Sequence, residues 1–462
     1  MYQIKKICCI GAGYVGGPTM AVIAKYCPEI DIKVVDINQE RINSWNNEDL
    51  NKLPIFEPGL SEIIKNYRGK NLTFTTNLVD SIKEADMVFI SVNTPIKQSG
   101  IGAGQTSDLR WVESCARKIS EIAIGHTIVV EKSTLPVRTA KTIKEILFDS
   151  NDNFNKEKSF SVLSNPEFLA EGTAINDLEN PDRVLVGGED QKAMLSLKQI
   201  YLNWVKEDKI IFTNLWSSEL SKLCANAFLA QRISSINSIS ALCEATGADI
   251  SEVANAVGKD TRIGSKFLKT GPGFGGSCFK KDILNLVYLS RYYGLEKVAD
   301  YWEKVVEINS WQKMRIYEEI VKKLFGNLVE KKIAILGFAF KANTNDTRES
   351  PAIDICKNLI NEGAFLSIHD FKVSEEDISK ILSMNNQSQW EYVIDLYEAF
   401  KNADAVVILT EWERYKDLDW KDISLKTKRP FWIFDTRSIL DPKKFEKLKL
   451  NLWQIGNGYK NN

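Results

Sequence analysis

Residues 6–16 constrain the fold more than any other stretch of the chain. Lys6-Ile7-Cys8-Cys9-Ile10 is a short apolar run of the kind that forms a strand buried on both faces. It ends in Gly11-Ala12-Gly13-Tyr14-Val15-Gly16, and helix-compatible Pro18–Tyr26 follows. A second apolar run, Ile32-Lys33-Val34-Val35, ends on Asp36, about 20 residues past the turn. G-x-G-x-x-G alone is a weak signal, but between a strand and a helix, with an acid at that distance, it is the dinucleotide fingerprint. The glycines let the backbone approach a pyrophosphate, which rests on helix amides. Asp36 accepts from ribose hydroxyls and disfavours a 2′-phosphate, so the expected cofactor is NAD rather than NADP. Gly11, Ala12, Gly13, Tyr14, Val15, Gly16 and Asp36 form the expected cofactor contacts. Arg41 either covers the adenosine or is a plain surface residue.

The alternation continues. Met87–Val92, Thr127–Val130 and Ser161–Leu163 read as strands with amphipathic helical stretches between them, and Val184–Gly187 and Ile210–Phe212 as late strands. From Ser217 to about Gly326 strand patterns vanish and helical periodicity dominates. Tyr288–Phe325 reads as one long helix broken only near Gly294, and its apolar stripes favour a dimer interface. At Lys331 the pattern restarts, with Lys332–Gly337, Phe365–Ile368, Ala405–Leu409 and Phe431–Phe434 as strands. This second unit lacks the G-x-G-x-x-G turn, so its ligand is expected to be something other than a dinucleotide. A chain of 462 residues exceeds one ordinary core. The expected architecture is α/β: two Rossmann-like, doubly wound parallel-sheet domains (1–215 and 329–462) joined by a helical central domain (216–328) with a long connecting helix.

Charge and composition narrow the chemistry. A net charge of -1 favours neither nucleic acid nor an anionic membrane, and no apolar run is long enough to span a bilayer. Met1–Ile10 passes straight into a strand and does not read as a signal peptide. The eight cysteines contain no C-x-x-C, which points to reduced thiols in a cytoplasmic protein and to no metal site. Cys8 and Cys9 fall in an apolar strand and read as inert packing. There are only two histidines, His126 and His369, and both sit beside apolar strand patterns. Proton transfers therefore fall to Lys, Asp, Glu and bound water.

One cysteine stands apart. Gly271-Pro272-Gly273-Phe274-Gly275-Gly276-Ser277-Cys278 leads into an apolar helical pattern, Ile283, Leu284, Leu286, Val287 and Leu289. Cys278 is thus placed at a helix N-terminus behind a glycine-rich loop, a position that suits a nucleophile. Asp282 is one turn on, on the same face. Lys222 and Asn226 share a helix face among apolar neighbours, either as donors to a developing oxyanion or as a snorkelling lysine and its neighbour. Three segments follow strands at the presumptive ligand edge: Ser91–Pro95, Ser133–Pro136 and Ser164–Gly172. Each is also ordinary turn chemistry. Lys269, Lys341, Arg262, Arg348 and Arg437 lie beside glycine or turn segments and suit a phosphate-rich ligand or plain solvation. NAD together with a thiol implies more than alcohol oxidation. A thiol that attacks an aldehyde gives a thiohemiacetal, which loses a second hydride to become a thioester.

Two long runs carry a family resemblance: Ile7-Cys8-Cys9-Ile10-Gly11-Ala12-Gly13-Tyr14-Val15-Gly16-Gly17-Pro18 and Ala225-Asn226-Ala227-Phe228-Leu229-Ala230-Gln231-Arg232-Ile233-Ser234-Ser235-Ile236-Asn237. With the Cys278 loop they resemble the UDP-glucose/GDP-mannose dehydrogenase family over essentially the whole chain, most closely its animal and plant members. The resemblance implies oxidation of UDP-glucose to UDP-glucuronate with two NAD, in a homo-oligomer that is at least a dimer through the central domain. It implies Cys278 as nucleophile, Lys222 and Asn226 as oxyanion donors, Asp282 and Thr134 as partners of a water, and Glu167 as an aid to thioester hydrolysis. Val92, Asn93, Thr94, Pro95, Ser133, Thr134, Glu171 and Arg348 would join the cofactor site. Glu167, Phe168, Leu169, Ala170, Glu171, Lys222, Asn226, Lys269, Phe274, Gly275, Cys278, Phe279, Lys341 and Arg437 would line the substrate. Arg262 would reach the substrate of a neighbouring subunit. The sequence departs from the pattern at Gly271-Pro272-Gly273, closer to bacterial members, and at Thr436, where a glycine is usual. The chain also ends soon after Gly458, short of the longer tail of animal members.

Overall fold

The computed structural model describes residues 1–133, 137–149, 158–382, 389–448 and 450–461. The chain forms two compact units: Met1–Ala225 with Leu284–Gly294, and Asn226–Ile283 with Leu295–Asn462. The helical stretch expected over 216–328 is divided between them.

The first unit is built on eight strands: β1 (Lys6–Ile10), β2 (Asp31–Val35), β3 (Leu72–Thr75), β4 (Met87–Ile90), β5 (His126–Glu131), β6 (Ser159–Ser164), β7 (Val184–Gly188) and β8 (Ile210–Thr213). Their order is β3-β2-β1-β4-β5-β6-β7-β8. The chain order therefore reverses between β1 and β4, whose carboxyl ends open the crevice where such sheets take ligands. One junction departs from the parallel pattern: β6 and β7 pair antiparallel through Leu163–Gly188 and Ser164–Gly187.

Burial on both faces follows from strand alternation. Ile7 and Cys9 enter one core with Met87, Phe89, Ile128 and Val130. Cys8 and Ile10 enter the other with Val88, Ile90 and Val129. The two adjacent cysteines thus pack on opposite sides of one sheet. Burial pushes the Cys8 thiol up to about 12 and the Cys9 thiol well above its ordinary value, as suits inert packing residues. His126 opens β5 and His369 closes the strand Phe365–His369 of the second sheet, so both are strand-end residues.

The second unit carries β9 (Lys332–Leu336), β10 (Phe365–His369), β11 (Trp390–Tyr392), β12 (Ala405–Ile408), β13 (Trp432–Asp435) and β14 (Asn451–Gln454), all parallel, in the order β11-β10-β9-β12-β13-β14. Its entry turn repeats that of the first sheet. Gly337, like Gly11, has positive φ, with values of 94° and 111°. Asp370 accepts from the Phe338 and Ala339 amides as Asp36 accepts from Ala12. Alanine stands at 339 and 342 where the first turn has its second and third glycines.

The middle of the chain is helical, as the periodicity predicts. Helices span Leu215–Thr246, Ile250–Gly258, Phe279–Tyr292 and Glu296–Lys323. The last two are separated at Gly294, whose φ of 72° ends the helix. Three short strands escaped the sequence reading: β3, β11 and β14, each at a sheet edge and none buried throughout.

Candidate active site

In the first unit, each glycine of the entry turn has its own steric reason. A Cβ at Gly11 would fall on the Ser91 carbonyl, and one at Gly16 on the carbonyl of Gly11. At Gly13 nothing lies within 4 Å of where a Cβ would be. The chain is therefore closed against itself at the first and third glycines and open at the second, as a cradle for a pyrophosphate must be. Asp36 is nearly buried, and its carboxylate accepts from the Ala12 amide at 3.0 Å and the Asn38 amide at 2.9 Å. Arg41, with its side chain largely exposed, pairs with Asp36 at 3.0 Å. Tyr14 and Val15 are partly exposed beside Gly13, whereas Ala12 is buried, its carbonyl accepting from the Trp45 indole at 2.9 Å. These residues fit NAD.

The loop after β4 meets the end of β5: the Ser133 hydroxyl donates to the Val92 carbonyl at 2.8 Å. Thr94 is buried, while Asn93 and Pro95 are exposed. Thr134 lies outside the described residues. Just upstream, Glu131 closes β5 in full burial and is hydrogen-bonded to Glu219. Glu219 in turn accepts from the Arg138 amide at 2.7 Å and the Ala140 amide at 2.8 Å. Burial first, and then the charge of Glu219, raises the Glu131 carboxyl well above the ordinary carboxylate range, so the folded chain holds a proton that the unfolded chain has lost. Stability therefore falls as pH rises from the ordinary glutamate range towards the raised folded value. Glu131→Gln, which mimics the protonated acid, is expected to flatten that slope and stabilise the protein at neutral pH. Urea melts at pH 5 and pH 8 read the effect; an unchanged slope in the variant would show that the proton is not held there.

After β6, Glu167 accepts from the amides of Phe168 at 2.7 Å and Leu169 at 2.9 Å, and Lys132 lies 3.0 Å from its other oxygen. Burial alone would raise the Glu167 carboxyl, but the charge of Lys132 and then that of Lys222 outweigh it, and the net direction is down. Lys222 is buried, with its ammonium 5.3 Å from the Phe168 ring centre. Arg183, which the sequence reading passed over, stacks on the same ring at 3.8 Å. Leu169 and Glu171 are partly buried and Ala170 is exposed.

In the second unit, Cys278 stands immediately before the helix Phe279–Tyr292, and its carbonyl accepts the first helical bond, from Asp282 N at 2.9 Å. Of the eight cysteines it alone is exposed. Asp282 is fully buried and accepts from the Asn226 amide at 2.5 Å. The glycine-rich loop is clamped rather than loose. Asn237 accepts from Thr270 and from the Gly271 amide, Gln312 donates to the Gly271 carbonyl, and Asn309 holds both the amide and the carbonyl of Phe274. Phe274 is buried and meets Phe279 edge-on at 5.8 Å. A Cβ at Gly275 would lie 2.6 Å from the Glu349 carbonyl.

The cations are placed unevenly. Arg348 meets the loop through its carbonyl, which accepts from Gly276 N at 2.8 Å, while its guanidinium turns onto Asp346. Arg437 is nearly buried, donating to the carbonyls of Leu409 and Phe340 and pairing with Glu411. Thr436, in place of the usual glycine, is accommodated by donating to the Ile408 carbonyl. Lys341 lies 5.5 Å from the Phe340 ring centre. Lys269 and Arg262 are exposed, and Arg262 pairs with Asp260. Among the described residues, no helix is long and apolar enough to cross a membrane.

Comparison with known proteins adds a family. Residues 5–205, 216–311 and 334–442 match, respectively, the NAD binding domain, central domain and UDP binding domain of the UDP-glucose/GDP-mannose dehydrogenase family. The chain is 57% identical over 452 residues to UDP-glucose 6-dehydrogenase of Bos taurus, covering 96% of this chain and 90% of that one. It is 53% identical over 472 residues to UDP-glucose 6-dehydrogenase 4 of Arabidopsis thaliana, covering 98% and 97%. A UDP-glucose dehydrogenase from the archaeon Pyrobaculum islandicum superimposes with a TM-score of 0.84 at 28% identity, over 98% of both chains.

Proposed function

Because the chain belongs to the UDP-glucose/GDP-mannose dehydrogenase family, we propose that it oxidises UDP-glucose to UDP-glucuronate through a covalent intermediate on Cys278. The observation that carries this reading is Cys278 itself, the one exposed thiol, held at a helix start behind a clamped glycine loop. A dehydrogenase that stopped at the aldehyde would need no such thiol. The naming of the relatives as UDP-glucose 6-dehydrogenases supplies the sugar.

The alcohol loses four electrons in all. The Gly11–Gly16 turn and Asp36 would hold NAD, which would supply the hydride acceptor for each of the two rounds. Between them the Cys278 sulfur bonds to the aldehyde carbon and gives a thiohemiacetal. Loss of the second hydride leaves a thioester. Water then adds to the acyl carbon, the C–S bond breaks, and Cys278 departs with the electron pair as thiolate; the water's two protons pass to solvent and the acid remains. Lys222 and Asn226 hydrogen-bond the oxygen on which negative charge develops. Asp282 and Thr134 orient the water, and Glu167 assists the hydrolysis. The Asn226–Asp282 bond supports placing these two in one machine.

We assign residues 1–215 to the cofactor, 216–328 to subunit contact and 329–462 to the UDP-sugar. Phe228 and Leu242, more than half exposed on the helix Leu215–Thr246, favour self-association of that segment, at least into a dimer. Eight unpaired thiols suit the reducing cytoplasm. The test supplies UDP-glucose with excess NAD, counts NADH per sugar consumed and identifies the product. Two NADH and UDP-glucuronate are expected; one NADH with free aldehyde sinks the reading.

A further inference from the structure

Lys132 is one of the few fully enclosed cations of the first unit, and it stands directly after β5 at the sheet edge that carries the candidate residues. Its ammonium has three oxygens around it: Asn165 Oδ1 at 3.0 Å, Tyr201 Oη at 3.2 Å and Glu167 Oε2 at 3.0 Å. Asn165 Oδ1 and Tyr201 Oη each accept a hydrogen bond from it, and Glu167 Oε2 stands at ion-pair distance. The acceptors are themselves fixed. The Tyr201 hydroxyl donates to Asn165 Oδ1 at 2.7 Å, and the Asn165 amide donates to the Leu185 carbonyl at 2.6 Å. Tyr201 and Asn165 are both buried.

Glu167 is unevenly engaged within this network. Oε1 takes both loop amides. Oε2 is buried and lies within ion-pair distance of Lys132, but off the direction of a hydrogen bond to it. That oxygen thus keeps its capacity to accept. A buried carboxylate persists only where cations and donors hold it charged.

We propose that Lys132 is the positioning residue that keeps Glu167 a fixed carboxylate with one oxygen left to accept from a water. It acts through Glu167 on the hydrolytic half of the reaction. The groups facing Glu167 are the Lys132 ammonium after β5, the Tyr201 hydroxyl, Lys222 on its helix, and the amides of its own loop. Of these, Lys132 makes the closest charge contact, and its electrostatic effect on Glu167 exceeds that of Lys222. Without the lysine, burial acts unopposed from that side and Glu167 takes up a proton at higher pH. Water added to the thioester then loses its acceptor, whereas formation of the first NADH is untouched.

This inference rests on the thioester reading, and the experiment separates the two. Lys132→Met, Lys132→Arg, Glu167→Gln and the Lys132→Met/Glu167→Gln double variant are compared with wild type. The readouts are rapid-mixing kinetics of both NADH phases, the pH profile of acid release, and the mass of acid-quenched protein. In Lys132→Met the acid-side midpoint for acid release should move up by about one pH unit, which is about a ten-fold loss at a pH below both midpoints. A sugar adduct should accumulate on Cys278 while the first NADH phase stays within about two-fold of wild type. Lys132→Arg keeps the charge and should restore the profile. Should Lys132→Met fail to fold, the double variant, which buries no unpaired charge, should match Glu167→Gln within about two-fold. An unmoved profile with no adduct overturns the proposal. So does a loss from Lys132→Met that is as large in the Glu167→Gln background as in wild type. One NADH per sugar from the wild-type protein overturns the thioester reading itself, and with it the role of Lys132.

Discussion

Cys278→Ser is expected to reduce formation of UDP-glucuronate by about 10³-fold or more, on the scale seen when a covalent nucleophile is removed. The substitution changes one atom of an exposed residue, Sγ, which lies 3.5 Å from the Ser277 hydroxyl. It breaks no buried contact and leaves the helix start intact, because the bond to Asp282 N comes from the Cys278 carbonyl. Thermal stability should therefore be unchanged, and so should NAD binding, whose candidate residues Gly11–Gly16 and Asp36 belong to the first unit. That combination separates loss of chemistry from loss of fold. Product analysis with excess NAD, beside a melting curve and an NAD titration, is the measurement. Acid formed at the normal rate would falsify covalent catalysis by this thiol.

The second large effect divides the glycines of the entry turn. Gly16→Ala places a methyl group on the Gly11 carbonyl, a backbone atom that cannot swing aside. The expected cost is about 3 kcal/mol or more of stability, together with loss of NAD binding. Gly13→Ala adds the same methyl where nothing lies within 4 Å. Its melting temperature should stay close to wild type while NAD affinity falls by about 100-fold, because the added carbon occupies the side on which the backbone must approach the pyrophosphate. Calorimetric melts and NAD titrations of both variants test the contrast. If Gly13→Ala binds NAD normally, the turn does not cradle the cofactor as assigned.

The features legible in the sequence were those encoded locally. Apolar runs such as Lys6–Ile10 and Lys332–Leu336 were readable because burial on both sheet faces demands unbroken hydrophobicity. Gly11, Gly13 and Gly16 were readable because spacing and flanks carry the turn, and Cys278 because glycines and a helix pattern bracket it. Edge strands hid because Leu72–Thr75 alternates too briefly to show a period and Trp390–Tyr392 is three half-buried residues with no period at all. The antiparallel meeting of β6 and β7 has no local signature at all. Lys132 was missed because a charged residue closing an apolar strand looks like any strand end, and its partners Glu167 and Tyr201 are 35 and 69 residues away. The loop clamp was missed for the same reason: Asn237, Asn309 and Gln312 lie in long helical patterns where amide side chains normally face solvent.

That clamp has a thermodynamic consequence. A free stretch with glycine at 271, 273, 275 and 276 would carry more conformational entropy than almost any other sequence of its length. Here the disorder is already removed when the chain folds, by three buried amide side chains that hold Gly271 and Phe274 from both the donor and the acceptor side. A molecule arriving at this loop meets a surface that needs no further ordering, so the free energy of its contacts appears as affinity rather than being consumed in freezing the chain. The glycines act less as hinges than as places where the wall has been thinned to let a ligand come close.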